Sequence, residues 1–241
     1  MVRALFLAFC VTFLATAGFI VAPLFAGPPV SVVGSAPLNL PKRSHLVVLL
    51  KGGQYAELDE ILTSLQERYE AGRLHEWHVT SAFKAFERAD PDMDEPLKVW
   101  RETYPDSFAP HLAIGLYALK QAWAIRGEKV VALTNPEQFK AMQRFLDESK
   151  PALGEAVRIN PKLPIAWGAL VSTAMTVGNR HDVAEVYNAA REQIPDSSLL
   201  YRRYHYALSP KWGGSALAQS GLRLWLRWNY SDNRDYLWVR Y

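Results

Sequence analysis

"NPKLPIAWGALVSTAMTVGNRHDVAEVYNAAREQIPDS", residues 160–197, decides the fold. Its apolar residues recur at three- and four-residue spacing, the pattern of one helix face. Asn160 and Pro161 open the stretch, Gly178 interrupts it midway, and Pro195 and Asp196 reopen the pattern one period later. Two helices joined at Gly178 are expected. One period further on, Tyr201 and Tyr204 stand where Trp167 and Leu170 stood, and Trp212-Gly213 where Gly178 stood. "YALSPKWGGSALAQ", residues 206–219, therefore reads as a joint: Pro210 closes one helix, Gly213 and Gly214 turn the chain, and Ser215 caps the next. Lys211 beside paired glycines suggests an anion cradle, but the Gly-Lys-Ser/Thr order of a phosphate loop is missing.

The spacing of Trp167, Leu170, Gly178, Tyr187 and Ala190 is similar to that of a tetratricopeptide unit, in which two antiparallel helices pack a large residue against small ones. It departs where the unit's usual alanine falls on Val183, with Ala184 one place late. "GGQYAELDEIL" (52–62), "INPKLPIAWGAL" (159–170) and "YALSPKWGGSA" (206–216) together resemble a bacterial family that carries a helical domain of unknown function related to such repeats. That resemblance runs from about Leu49 to Leu222 and implies an all-α fold of stacked helical hairpins, an α-solenoid, without supplying catalytic residues.

The rest of the body agrees with helices. "HLVVLL", the Gly52-Gly53 turn and "YAELDEILTSLQERYEAG" give a short helix and a longer one, with Leu58, Ile61, Leu62 and Leu65 as the buried stripe and Gly72 as the stop. A further helix is expected from about His75 to Arg88. Asn135, Pro136 and Gln138 spell a capping box, and Pro151 should break or kink the helix that follows. Alternating strands and Asn-Gly or Asp-Gly hairpin signals are missing.

The chain has 241 residues, 49% of them hydrophobic and 21% charged, enough to bury a core. Its net charge of +3 is too mild to argue for nucleic acid. The charge is polarised: residues 51–106 hold 13 Asp/Glu against 7 Lys/Arg, and residues 199–241 hold 7 Lys/Arg against 2 Asp/Glu. Cys10, the only cysteine, lies in an apolar leader, which leaves the body without thiol or zinc-thiolate chemistry. Ala4 to Ala26 is almost wholly apolar and long enough to span a bilayer, and no small-residue cleavage site fits without leaving an apolar remnant or a misplaced Leu24. Residues 1–26 are thus expected to be an anchor or signal, 27–43 a Pro/Gly-rich tether and 44–241 the helical domain. The body should be extracytoplasmic, on the periplasmic side of an inner membrane, or free in the periplasm if the leader is cleaved.

Candidate chemistry is thin. "HEWH", His75 to His78, places its histidines three apart where the zinc-protease motif needs four, so a partly exposed helix start with Trp77 packed inward is expected. Asp90, Asp92 and Asp94 match the first, third and fifth places of a calcium loop. Glu95 replaces its glycine and Arg101 its final acid, so Asp94 is expected to cap a helix containing Leu97 and Trp100. No serine elbow accompanies a histidine. The end of the chain interleaves Arg223, Arg227, Arg234 and Arg240 with Trp225, Trp228, Tyr230, Tyr236, Trp238 and Tyr241, as a cap over the last repeat or a surface for a partner or membrane would.

These features favour a non-catalytic protein that holds a protein or peptide partner in a helical-repeat groove, with Ser172, Met175, Arg202 and Tyr206 facing it, and with no cofactor, metal or nucleic acid. An enzyme or small-ligand binder with a pocket between the acidic front helices and the repeats is one alternative. A toxin-neutralising immunity protein is another.

Overall fold

The computed structural model describes residues 40–127, 135–178, 180–230 and 235–236, and these are all-helical, without a strand. Ten α-helices follow in order among them: α1 (Arg43–Lys51), α2 (Tyr55–Glu70), α3 (Glu76–Phe83), α4 (Asp94–Thr103), α5 (Phe108–Arg126), α6 (Pro136–Ile159), α7 (Pro164–Val177), α8 (Arg180–Gln193), α9 (Ser198–Ala207) and α10 (Ala216–Asn229). Short 3-10 turns at Pro91–Met93 and Pro210–Trp212 precede α4 and α10. The leader, Cys10 and the tether to Asn39 lie outside the described residues, as do Arg234, Trp238, Arg240 and Tyr241.

Three of the helices start in the same way. In each, a ring nitrogen or phenol six residues after a proline bonds that proline's carbonyl: His111 Nε2 with Pro105 O at 2.8 Å, Trp167 Nε1 with Pro161 O at 2.7 Å, and Tyr201 OH with Pro195 O at 2.8 Å. Each bond uses a carbonyl that precedes the helix and ties it to the first turns of α5, α7 and α9. Residues Pro161/Trp167 and Pro195/Tyr201 are the two copies of the sequence period. Pro105/His111 is a third copy at a longer interval, because α6 has 24 residues.

The exits repeat as well. Gly178 (φ 80°, ψ 13°) and Gly213 (φ 77°, ψ 9°) both adopt the left-handed conformation, which a side chain would make costly. Ser215 Oγ accepts from the Ala218 amide and caps α10, and a Cβ on Gly214 would collide with the Leu208 carbonyl. Residues 206–219 are therefore a joint, with α9 ending at Ala207 and Pro210 opening the 3-10 turn.

The first helices of the three hairpins touch in sequence, α5 on α7 and α7 on α9, while α6 also lies on α7 and α8 on α9. The tightest pair is α5 with α6: Gly115 faces Leu153 so closely that an added Cβ would lie 2.5 Å from Leu153 Cγ. A dry core runs from Leu46 of α1 through Phe83, Phe86, Trp100 and Leu112 to Ala166 of α7, each almost fully buried. A second, aromatic core lies under α8–α10 around Tyr187 and Tyr201, and Trp167 packs against both.

Several expectations are corrected. The third helix stops at Phe83 instead of Arg88, and Trp77 points outward at 61% exposure while Glu76 is buried. Its carboxylate bonds Ser197 Oγ (2.7 Å), Ser198 Oγ (2.8 Å) and the Leu199 amide (2.8 Å), so burial of the acid at the start of α9 turns Trp77 to solvent. Asp94 is the first residue of α4, which has no side-chain cap; the capping acid is Asp90, whose Oδ1 accepts from the Asp92 amide at the start of the 3-10 turn before α4. Pro151 does not break α6, because Pro151 and Asp147 both lie on the exposed side, where water can satisfy the carbonyl the proline leaves without a donor. In α2, Ile61 is only partly buried; Gln66 is buried instead and ties the helix to the α6–α7 turn through the Lys162 carbonyl (2.6 Å). The capping box at Asn135 is present as read.

Candidate functional site

Two concavities stand out among the described residues. One, of about 190 Å³, is a groove whose walls come from α5 (Leu116, Leu119, Lys120, Trp123), α7 (Ile165, Gly168, Ala169, Ser172) and α9 (Leu199, Arg203), closed at one side by Thr80, Lys84 and Glu87 at and after α3. The spacing on α7, residues 165, 168, 169 and 172, is one helical face, and Leu199 with Arg203 continues it on α9 at an i, i+4 interval. Gly168 brings α9 close: a Cβ there would meet Leu199 Cδ2 at 2.6 Å and Arg203 Cγ at 3.4 Å, so its bare backbone seats the Arg203 stem. The floor is aliphatic. Lys84, Lys120 and Arg203 carry the polar rim with Glu87, and among the described residues none of the three cations forms an ion pair.

The second cavity, of about 340 Å³, lies between α7, α8 and the α9–α10 joint, lined by Met175, Arg180, His181, Tyr204, Leu208 and Trp212 among others. Its wall is aromatic: Tyr204 stacks on Tyr187 at 3.6 Å, and Trp212 meets Trp123 and Tyr206 edge-on, each at 6.1 Å. Burial pushes the Tyr187 phenol up to about 12, so it remains a neutral hydroxyl across the physiological range.

The four residues read from the sequence as facing a groove are not brought together. Ser172 lines the first groove but is buried, its hydroxyl donated to the Gly168 carbonyl (2.9 Å). Met175 lines the second cavity. Arg202 and Tyr206 are exposed on α9 and line neither, and Tyr206 rests against Trp212. Arg203, one residue and about 100° further round the helix, takes the groove-facing place. The sequence period carried the signal, since residues 165 and 169 of α7 step by 34 to 199 and 203. Lys84 and Lys120 had no such signal, because their approach to Arg203 depends on how α3 and α5 pack.

The other motifs serve the scaffold. His75 caps α3 by accepting from the Trp77 amide at Nδ1, which leaves Nε2 to donate to Asp235 Oδ2 at 2.7 Å. Asp90 pairs with Lys51 at 2.8 Å, which holds its carboxyl below the usual range, and Asp94 pairs with Lys98 at 2.6 Å. Among the described residues no group of three or more His, Cys, Asp or Glu side chains is arranged to hold a metal ion. The terminal aromatics clamp the α8–α9 turn: Tyr230 OH donates to Pro195 O (2.9 Å) and Tyr236 OH to Asp196 O (2.8 Å), beside the Tyr201 bond. Burial raises the phenols of Tyr201 and Tyr236 far above their ordinary value. Leu226 buries the inner face of α10, whereas Leu217, Leu224 and Trp228 leave its outer face apolar and exposed. Among the described residues no helix is long and apolar enough to cross a membrane.

An all-helical body with an apolar groove and a cationic rim is the class these observations define. A family model described as a domain of unknown function, DUF4034, matches residues 42–224, and the chain belongs to that family. The match opens one residue before α1 and closes inside α10. Neither the curated proteins nor the solved structures gave a match.

Proposed function

We propose that this protein is a non-catalytic interaction protein, a tetratricopeptide-like stack of hairpins α5/α6, α7/α8 and α9/α10 that holds a protein or peptide partner. The order of helix contacts supports the stack, since each first helix meets the next, and so do the three recurrent proline-to-ring bonds. The observation that carries the binding reading is the groove itself: side chains from three successive first helices build one concave, aliphatic floor with charged groups at its edge. In this reading residues 1–26 anchor the chain or direct its export, and the body works in the periplasm.

The test is capture of partners by the full-length, membrane-extracted protein beside a Leu119→Trp variant, which fills the groove floor without changing charge. A partner retained by the parent and lost by a variant of unchanged helicity and melting temperature supports the reading. Equal recovery by both places the contact elsewhere. Arg202→Glu/Tyr206→Ala, on the face outside the groove, should leave recovery unchanged. A leader that is removed on export would be seen as a loss of about 2–3 kDa in the mature mass, and an intact mass supports the anchor.

A further inference from the structure

We infer that the groove between α3, α5, α7 and α9 takes an acidic, leucine-like segment of a partner protein, with carboxylates seated on Lys84, Lys120 and Arg203 and an aliphatic side chain on the floor below them. The inference rests on the groove reading above and adds the chemistry of the occupant.

Charge complementarity carries it. Among the described residues, three cations from three different elements line one cavity beside a single acid, Glu87, and none of the three is neutralised by a carboxylate. Cations used only for solubility would be expected to stand apart or pair locally, as Arg158 does with Glu155 three residues away. Arg203 instead has the base of its stem set against the groove by the close approach of α9 to Gly168, which starts its side chain from the groove wall. The floor of Leu116, Leu119, Ile165 and Leu199 offers nothing to a second charge and suits an aliphatic side chain. Because the cations belong to separate elements, a segment with more than one carboxylate satisfies them better than one terminal carboxylate does. Nucleic acid fits poorly. It would need a broader basic track, and among the described residues the ring bordering this groove is Trp123, which is already engaged with Trp212 and with Arg126.

The experiment is fluorescence anisotropy with the full-length chain in non-ionic detergent and three labelled peptides: one alternating aspartate and leucine, its asparagine twin and its lysine twin. The acidic peptide should bind saturably, at least about tenfold tighter than the asparagine twin, and weaken as salt rises. Lys120→Glu and Arg203→Glu should each weaken it at least about tenfold at unchanged melting temperature, whereas Arg144→Glu, at an exposed position of α6, should not. Equal affinity for the acidic and asparagine peptides, lost with Leu119→Trp, would overturn the acidic assignment and leave the groove reading standing. Equal weakening by Arg144→Glu would show unspecific attraction and overturn it too. Saturable binding of none of the three also overturns it, while the capture experiment judges the groove separately.

Discussion

The α5/α6 and α9/α10 hairpins begin alike and are held together differently. Both first helices start with a proline carbonyl bonded to a ring six residues on, through His111 in one and Tyr201 in the other. In α5/α6 the backbones then close on each other, with Gly115 under Leu153 and the buried Ser149 hydroxyl donated to the Gly115 carbonyl at 2.7 Å. In α9/α10 a 3-10 turn separates the helices and the interface is made by Tyr201, Trp225, Tyr230 and Tyr236, whose rings lie 4.4–6.1 Å apart. How a helix starts and how it packs are thus separate decisions. Close packing removes surface on both helices, whereas the aromatic cluster covers only the inner face of α10 and leaves Leu217 and Trp228 in solvent.

The largest effect should come from the acid that links the front helices to the last hairpin. Glu76→Ala strands two serine hydroxyls and the Leu199 amide in a buried site, an expected loss of about 3 kcal/mol in chemical denaturation, with Glu76→Gln recovering part of it. Gly115→Ala comes next: the new methyl must displace the core of Leu153, costing about 2 kcal/mol. The same change in the other hairpin should reverse sign. Gly221 sits inside α10 with nothing within 4 Å of its would-be Cβ, so Gly221→Ala is expected to stabilise by about 0.5–1 kcal/mol. Equal signs for the two substitutions would break the contrast between the hairpins.

Tyr201→Phe should cost about 1 kcal/mol by removing the Pro195 bond, more than His111→Phe, because His111 stands in partly solvated surroundings. The smallest effect concerns acid. Burial, and then Arg223, lowers the His205 pKa below its ordinary value, so below about pH 6.5 the unfolded chain binds a proton that the folded chain resists. Stability should therefore fall as pH drops below that value, and His205→Gln should flatten the slope measured by tryptophan fluorescence.

Much of the helical plan was legible in the chain. The period through residues 160–197, the left-handed positions of Gly178 and Gly213, the Asn135 capping box and the Ser215 cap are local chemistry, fixed by backbone geometry and by side chains a few residues away. The Pro105 copy of the helix start was hidden because the long α6 shifts it off the period. Trp77 was misread for a different reason. In an eight-residue helix the faces of Glu76 and Trp77 are about 100° apart, and only the serines and amide at the start of α9, more than 120 residues away in sequence, made it favourable to bury the acid.

The sequence alone therefore determined that the body is helical, where several of its hairpins turn, and that its charge is divided between an acidic front and a basic end. Tertiary structure decided which faces of α7 and α9 line the groove, and it alone brought Lys84 and Lys120 beside Arg203. Helix starts and turns depend on neighbours along the chain and can be read from it. The rotation of one helix against another depends on every side chain between them, here on a missing Cβ at Gly168 as much as on any residue that is present.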